Sequence, residues 1–184
     1  VEMLLAVDGI QVNQAENEEC TPLYIACEKG HSKVVERLLA VAGIQVNQAD
    51  NEGTTPLWIA SNKGHSKLVE MLVAMDDIQV NQADNDAVTP LTVACEKAHL
   101  KIIQMLLEAD DIQVHQADKT EATPLWVACQ AGHSKVVETL LAVDGIQVNQ
   151  ANDQGFTPLN VACYGGHSKV VKMLLAVNGN QVNQ

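Results

Sequence analysis

The chain has 184 residues and a net charge of −12, with 23 Asp and Glu against 11 Lys and Arg. That balance argues against nucleic acid and anionic membranes as partners, since both call for clustered cations. No run approaches the roughly 18 apolar residues of a membrane helix, and the start lacks the basic region and apolar core of a signal peptide.

In chain order, residues 1–15 come first, with a helical pattern over about residues 1–7. Thr21-Pro22-Leu23 then reads as a helix start, with Thr at the N-cap and Pro at the first helical position. This first helix is expected from residue 22 to about 29, with Leu23, Ala26 and Cys27 facing inward. Gly30 permits the left-handed turn that ends it. Ser32 is suited to cap a second helix whose apolar stripe is Val34, Val35, Leu38 and Leu39. The same text returns with Thr-Pro-Leu at Thr55, Thr89, Thr123 and Thr157, always 34 residues on.

A fixed period of this length marks a stacked repeat array. The chain divides into a half unit at 1–15 and units at 16–49, 50–83, 84–117, 118–151 and 152–184. Opening at Val1 inside a helix, without an initiator Met, it reads as a segment of a longer array. Gly64, Gly132 and Gly166 repeat the turn glycine, as Ser66, Ser134 and Ser168 repeat the cap, whereas Ala98 and Leu100 break both rules in the third unit. About ten helices of eight to ten residues are expected. Pairs this short do not persist alone in water, so stacking must stabilise them.

TPLYIACEKGH, TPLWIASNKGH, TPLTVACEKAH, TPLWVACQAGH and TPLNVACYGGH, each followed by a V-V-x-x-L-L-like run and V-N-Q or a near variant, resemble the ankyrin repeat along the whole chain. The resemblance implies an all-α solenoid of stacked helix-turn-helix units joined by β-hairpin loops. Two departures stand out. The unit has 34 residues rather than the usual 33, the extra one falling between Leu39 and Gln45, and the family's His after Thr-Pro-Leu becomes Tyr24, Trp58, Thr92, Trp126 or Asn160. That His ties neighbouring hairpins in the family, so here the tie must be made differently, with Tyr24, Trp58 and Trp126 filling its place. Beside the insertion, Ile44, Ile78, Ile112 and Ile146 are expected to turn inward, with Asn180 the exception in the last unit. Neither end carries capping substitutions, so fastest hydrogen exchange is expected in residues 1–15, then beyond 177.

No chemistry emerges from the titratable residues. Cys27, Cys95, Cys129 and Cys163 occupy one repeat column, and helices about 8–10 Å apart exceed the roughly 7 Å limit for a disulfide. They read as small buried thiols on the first helix, and Cys20 as a partly exposed hairpin residue. Free thiols suit a reducing compartment, cytoplasm or nucleus. His31, His65, His99, His133 and His167 are too far apart to share a metal and read as hydrogen-bonding the turn between helices. His115 is a substitution of a loop Asn. The Asp76-Asp77 and Asp110-Asp111 pairs lack the further ligands of a calcium cage. With no nucleophile elbow or phosphate loop, no catalytic, cofactor or metal residue is assigned.

Function must then reside in the variable columns, which the resemblance places on a concave groove of hairpin tips and first helices. The candidate partner-binding residues are Glu18, Glu28, Glu52, Asn62, Asp86, Glu96, Lys119, Gln130, Gln154, Phe156 and Tyr164. By unit the charge runs −2, −3, −4, −2 and then +1 for 152–184. An acidic face passing into an aromatic end suits a protein or peptide partner that is basic and carries an apolar anchor. The alternatives are a structural spacer, or an accessory array of a larger multidomain protein whose enzymatic domain lies elsewhere.

Overall fold

A computed structural model describes residues 10–181, with side chains placed through residue 177. The expected helix at residues 1–7, most of the N-terminal half unit expected to exchange fastest, and the side chain of Asn180 lie outside these described residues. Ten helices follow one another: α1 (Pro22–Glu28), α2 (Ser32–Leu39), α3 (Pro56–Lys63), α4 (Ser66–Val73), α5 (Pro90–Glu96), α6 (Leu100–Leu107), α7 (Pro124–Gln130), α8 (Ser134–Leu141), α9 (Pro158–Tyr164) and α10 (Ser168–Gln181). They form five pairs. The odd-numbered helices stack on one another in chain order, the even-numbered helices stack likewise, and each helix touches its pair mate.

Local chemistry accounts for these boundaries. Each first helix starts at a Thr with extended backbone, whose Oγ1 accepts the N–H three residues on, as Thr21 does from Tyr24 at 3.1 Å. In the last pair Asn160 Oδ1 accepts from Thr157 N in return, closing a capping box. Substituting such a cap by Ala costs about 1 kcal/mol. The turn after each first helix is left-handed at Gly30, Gly64, Gly132 and Gly166, and Ala98 is held there too, at φ 58°. The second-helix caps differ from expectation. His31, His65, His99 and His133 occupy the N-cap without a side-chain cap bond, and Ser32, Ser66 and Ser134 are the first helical residues instead. One residue of offset arises because the Gly-to-Ser turn is already closed by backbone bonds such as Ser32 N to Gly30 O.

The core is a strip. Leu23, Leu57, Leu91 and Leu125 of the first helices are fully buried against Val35, Val69, Ile103 and Val137 of the second. Nine helices have seven or eight residues, whereas α10 runs for 14. Earlier units turn away after their second helix around an Ile packed on the core. The anchors themselves, Ile44, Ile78, Ile112 and Ile146, are half-buried against the core, and Val46, Val80 and Val148 two residues on are the buried ones.

Among the described residues no strand forms. The hairpin loops expected of the family are present as tips closed by pairs such as Asp50 N to Thr54 O and Gly53 N to Asp50 O, too short to make a ladder. Of the cysteine column, Cys27, Cys95 and Cys129 are buried but Cys163 is exposed. That column faces the next pair, and no further pair covers α9 among the described residues. Ile25, 41% exposed, is the mirror case on α1, since its counterparts Ile59, Val93 and Val161 are buried.

Candidate functional site

The tips and first helices share one side of the array, and the sequence explains how each tip is held. Asp50 Oδ1 accepts the N–H groups of Glu52 (3.0 Å) and Thr54 (2.8 Å), and its Oδ2 accepts Thr54 Oγ1 at 2.7 Å. Glu16, Asp84, Asp118 and Asn152 receive the equivalent backbone N–H groups. Each tip then docks on the one before, through Asn51 N to Glu18 O, Asn85 N to Glu52 O, Lys119 N to Asp86 O and Asp153 N to Thr120 O. Thus the carbonyls of Glu18, Glu52 and Asp86 are structural, while their carboxylates project into solvent.

Aromatic side chains replace the family's missing imidazole as struts between tips. Tyr24 Oη lies 2.9 Å from Thr54 Oγ1 in a hydroxyl–hydroxyl hydrogen bond, Trp58 Nε1 donates to Val88 O (2.9 Å), and Trp126 Nε1 donates to Phe156 O (2.7 Å). Thr92 cannot span the gap and pairs with its own Thr89 hydroxyl at 2.9 Å.

Two further sets of ties join the pairs away from the tips. The histidine column does bond at a turn, but one in the preceding pair: Nε2 of His65, His99, His133 and His167 donates to the carbonyls of Glu28, Asn62, Glu96 and Gln130. The rings sit so closely over the preceding turn that a Cβ on Gly64 would come within 2.7 Å of His99. Sequence reasoning missed the asparagine clamp. Asn13, Asn47 and Asn81 each donate Nδ2–H to a carbonyl of the next loop (Gly43, Asp77, Asp111) and accept the N–H of Gln45, Gln79 or Gln113 at 2.9 Å. Its signal was the recurring V-N-Q, which the third unit breaks as Val114-His115-Gln116, and His115 makes no such clamp among the described residues.

The eleven candidate residues fall along the tip-and-first-helix side. Glu28 and Asn62 are half-buried, and Glu18, Glu52, Asp86, Glu96, Lys119, Gln130 and Gln154 are exposed. Phe156 is 41% and Tyr164 92% exposed. Three hollows run along this side. One of about 390 Å³ is lined by Glu18, Tyr24, Glu28, Asp50 and Glu52. A second of about 430 Å³ lies between Thr92, Ala122 and Trp126 with Glu96 and Asp153. A third of about 290 Å³ joins Trp126 to Phe156 and Tyr164.

Metal or nucleophile chemistry finds little support in this geometry. Asp76, Asp77, Asp110 and Asp111 are exposed, and the carbonyls of Asp77 and Asp111 serve the clamp. Glu16, Glu18 and Cys20 approach one another closely, but Glu16 Oε1 already accepts the N–H groups of Glu18 and Cys20. Loss of solvent, then the Glu16 carboxylate, pushes the Cys20 thiol up to about 11, and burial alone pushes Cys27 and Cys129 up to about 12. None of these is poised as a thiolate.

A family model described as ankyrin repeats, in three copies, matches residues 1–84, 42–118 and 110–184. The chain belongs to the ankyrin-repeat family. None of the curated proteins compared with it matches. Ankyrin repeats are generally protein-interaction modules and typically non-catalytic. No helix among the described residues is long and apolar enough to cross a membrane.

Proposed function

We propose that this ankyrin array, a single domain of a half unit and five units, is a non-catalytic scaffold that binds a protein or peptide along its tips and first helices. The partner is a basic segment with an apolar anchor, met in a reducing compartment such as cytoplasm or nucleus. The observation carrying this reading is the gradient along that side. Exposed carboxylates of Glu18, Glu52, Asp86 and Glu96 lead to an end where Phe156 and Tyr164 present their rings to solvent. Charge would speed and orient association, and ring burial would supply affinity, with about 1–3 kcal/mol lost on each truncation to Ala.

A structural spacer would need no variation along this side, and Asn17, Asn51, Asn85 and Lys29, Lys63, Lys97 do repeat there. Part of that sameness has a structural origin: Asn85 Nδ2 donates to Asn51 O at 2.9 Å. A partner isolated on the intact chain tests the reading. Binding should weaken at least tenfold with the double variant Phe156→Ala/Tyr164→Ala, and its association rate should fall between low and physiological salt. A partner indifferent to both changes refutes the face and the charge together.

A further inference from the structure

The loop after α8 carries Asp144-Gly145, the only Asp-Gly sequence among the described residues. Its place in the repeat sets it apart. In the three preceding loops an asparagine from one loop earlier holds a carbonyl, that of Gly43, Asp77 or Asp111, together with the N–H two residues on. His115 stands where the next such asparagine would be, and neither Gly145 O nor Gln147 N has a partner among the described residues. Asp144 and Gly145 are both exposed. The Asp144 carboxyl makes no hydrogen bond or ion pair among the described residues, and Gly145 N–H donates to nothing there. Gly145 is left-handed at φ 76°, and nothing lies within 4 Å of where a Cβ would sit. Its nitrogen is therefore shielded neither by a side chain of its own nor by a neighbour.

We propose that Asp144 is a site of spontaneous isomerisation to isoaspartate, and that the class of enzyme acting on it is a methyltransferase specific for isoaspartyl carboxylates. Gly145 N attacks Asp144 Cγ. The N–Cγ bond forms, a Cγ–O bond breaks, and the hydroxyl leaves with the amide proton as water, which closes a succinimide. Water then adds across one of the two imide C–N bonds. Opening at Cγ restores aspartate. Opening at the Asp144 main-chain carbonyl carbon leaves Gly145 joined through Cγ, so the backbone is one methylene longer and a new α-carboxylate is exposed. That carboxylate takes the methyl group of S-adenosylmethionine, and S-adenosylhomocysteine is released. Closing the ring requires the loop to bring nitrogen onto Cγ, and a loop with few fixed backbone bonds moves most readily. Asp76-Asp77 and Asp110-Asp111 hold the same positions in clamped loops and put a side chain on the attacking residue. They are internal controls. The added methylene falls just before Ile146, packed on the core, and Val148, which is buried, so the isomer strains both anchors.

The test ages the intact folded chain in mildly acid buffer and locates isoaspartate by peptide mapping, with a protein-isoaspartyl methyltransferase and labelled S-adenosylmethionine as the probe. Isoaspartate and label are expected at residue 144 at least tenfold faster than at Asp76 or Asp110. His115→Asn, which supplies the clamp, should slow conversion at least threefold. Gly145→Asp, which copies the two preceding loops, should slow it at least tenfold and serves alone if the first variant folds poorly. The separated isoaspartyl form should melt below the parent. An unchanged residue 144 in the folded chain, while the urea-unfolded chain isomerises, overturns the site. Equal conversion at all three loops, or a rate indifferent to the folded variants, does the same. A melting midpoint equal to the parent's would overturn the strain at Ile146 and Val148.

Discussion

The junction between the second and third pairs and that between the third and fourth share one backbone plan and differ in side-chain ties. Both keep the tip-to-tip bond, Asn85 N to Glu52 O and Lys119 N to Asp86 O, and both keep a histidine tie, His99 to Asn62 O and His133 to Glu96 O. The former adds the Trp58 strut, the double Asn81 clamp and the Asn85 side-chain bond. The latter puts Thr92, His115 and Lys119 in those places and retains only an exposed ion pair. At about 1 kcal/mol for each of these four net hydrogen bonds, against an exposed ion pair that contributes little, the difference is on the order of 4 kcal/mol. In a solenoid whose stability sums over neighbouring contacts, opening should begin between α5/α6 and α7/α8.

The largest expected effect comes from making the strong junction resemble the weak one. Trp58→Thr removes a half-buried ring and its bond to Val88 O, and should cost about 2–3 kcal/mol in urea unfolding. A loss under about 1 kcal/mol would mean that the strut is incidental and that apolar stacking alone sets the junction. Asn81→Ala comes next. It deletes two hydrogen bonds and leaves the Gln113 N–H and the Asp111 carbonyl to find water, for about 1–2 kcal/mol. His115→Asn is the reciprocal change and should raise stability by about 1 kcal/mol, provided the loop at Gly145 and Gln147 sits as its counterparts do.

These ties show where sequence reasoning reached its limit. The 34-residue period, the Thr caps and the turn glycines fixed helix order within a residue or two, because each is a local rule about φ, ψ and orphan N–H groups. The clamp and the struts join residues 30 or 32 positions apart, and a periodic sequence looks alike whether a conserved side chain packs in its own unit or reaches the next. The serines were mistaken for caps because the His before them was assigned to a turn bond within its own unit, whereas it occupies the N-cap and its ring bonds a carbonyl of the preceding pair. The exposure of Cys163 and Ile25 could not be read from columns at all, since a column does not state which neighbour covers it. Of the candidate binding residues, exposure alone was legible. That the Asn51 and Asn85 positions hold tips together was not.

A smaller effect concerns the tip residues. Positions 19, 53, 87, 121 and 155 are all left-handed, at φ between 61° and 79°, yet only Gly53 and Gly155 are glycine; Glu19, Ala87 and Glu121 bear side chains there. Relief of that strain outweighs the entropy glycine loses, so Ala87→Gly and Glu121→Gly should each stabilise by about 0.5–1 kcal/mol. Equal gains are expected on the two sides of the weak junction, since the tip geometry is the same. A loss at either would show that the tip tolerates a Cβ without strain.

The subtlest effect is kinetic, and cysteine reports it. Cys95 on α5 is covered by the fourth pair, as Cys27 on α1 is by the second, and both are fully buried. Burial holds the Cys27 thiol up near 12 and raises that of Cys95 as well, so near pH 8 neither offers a thiolate until its junction opens. Cys163 is exposed and should be alkylated first, giving an internal standard. Opening between the third and fourth pairs frees Cys95 without disturbing Cys27. His115→Asn should therefore slow Cys95 labelling about fivefold, as about 1 kcal/mol in the opening equilibrium requires, and leave Cys27 unchanged. Parallel slowing of both would mean that the array opens as one cooperative body, and the missing ties would then lower global stability without choosing where it parts.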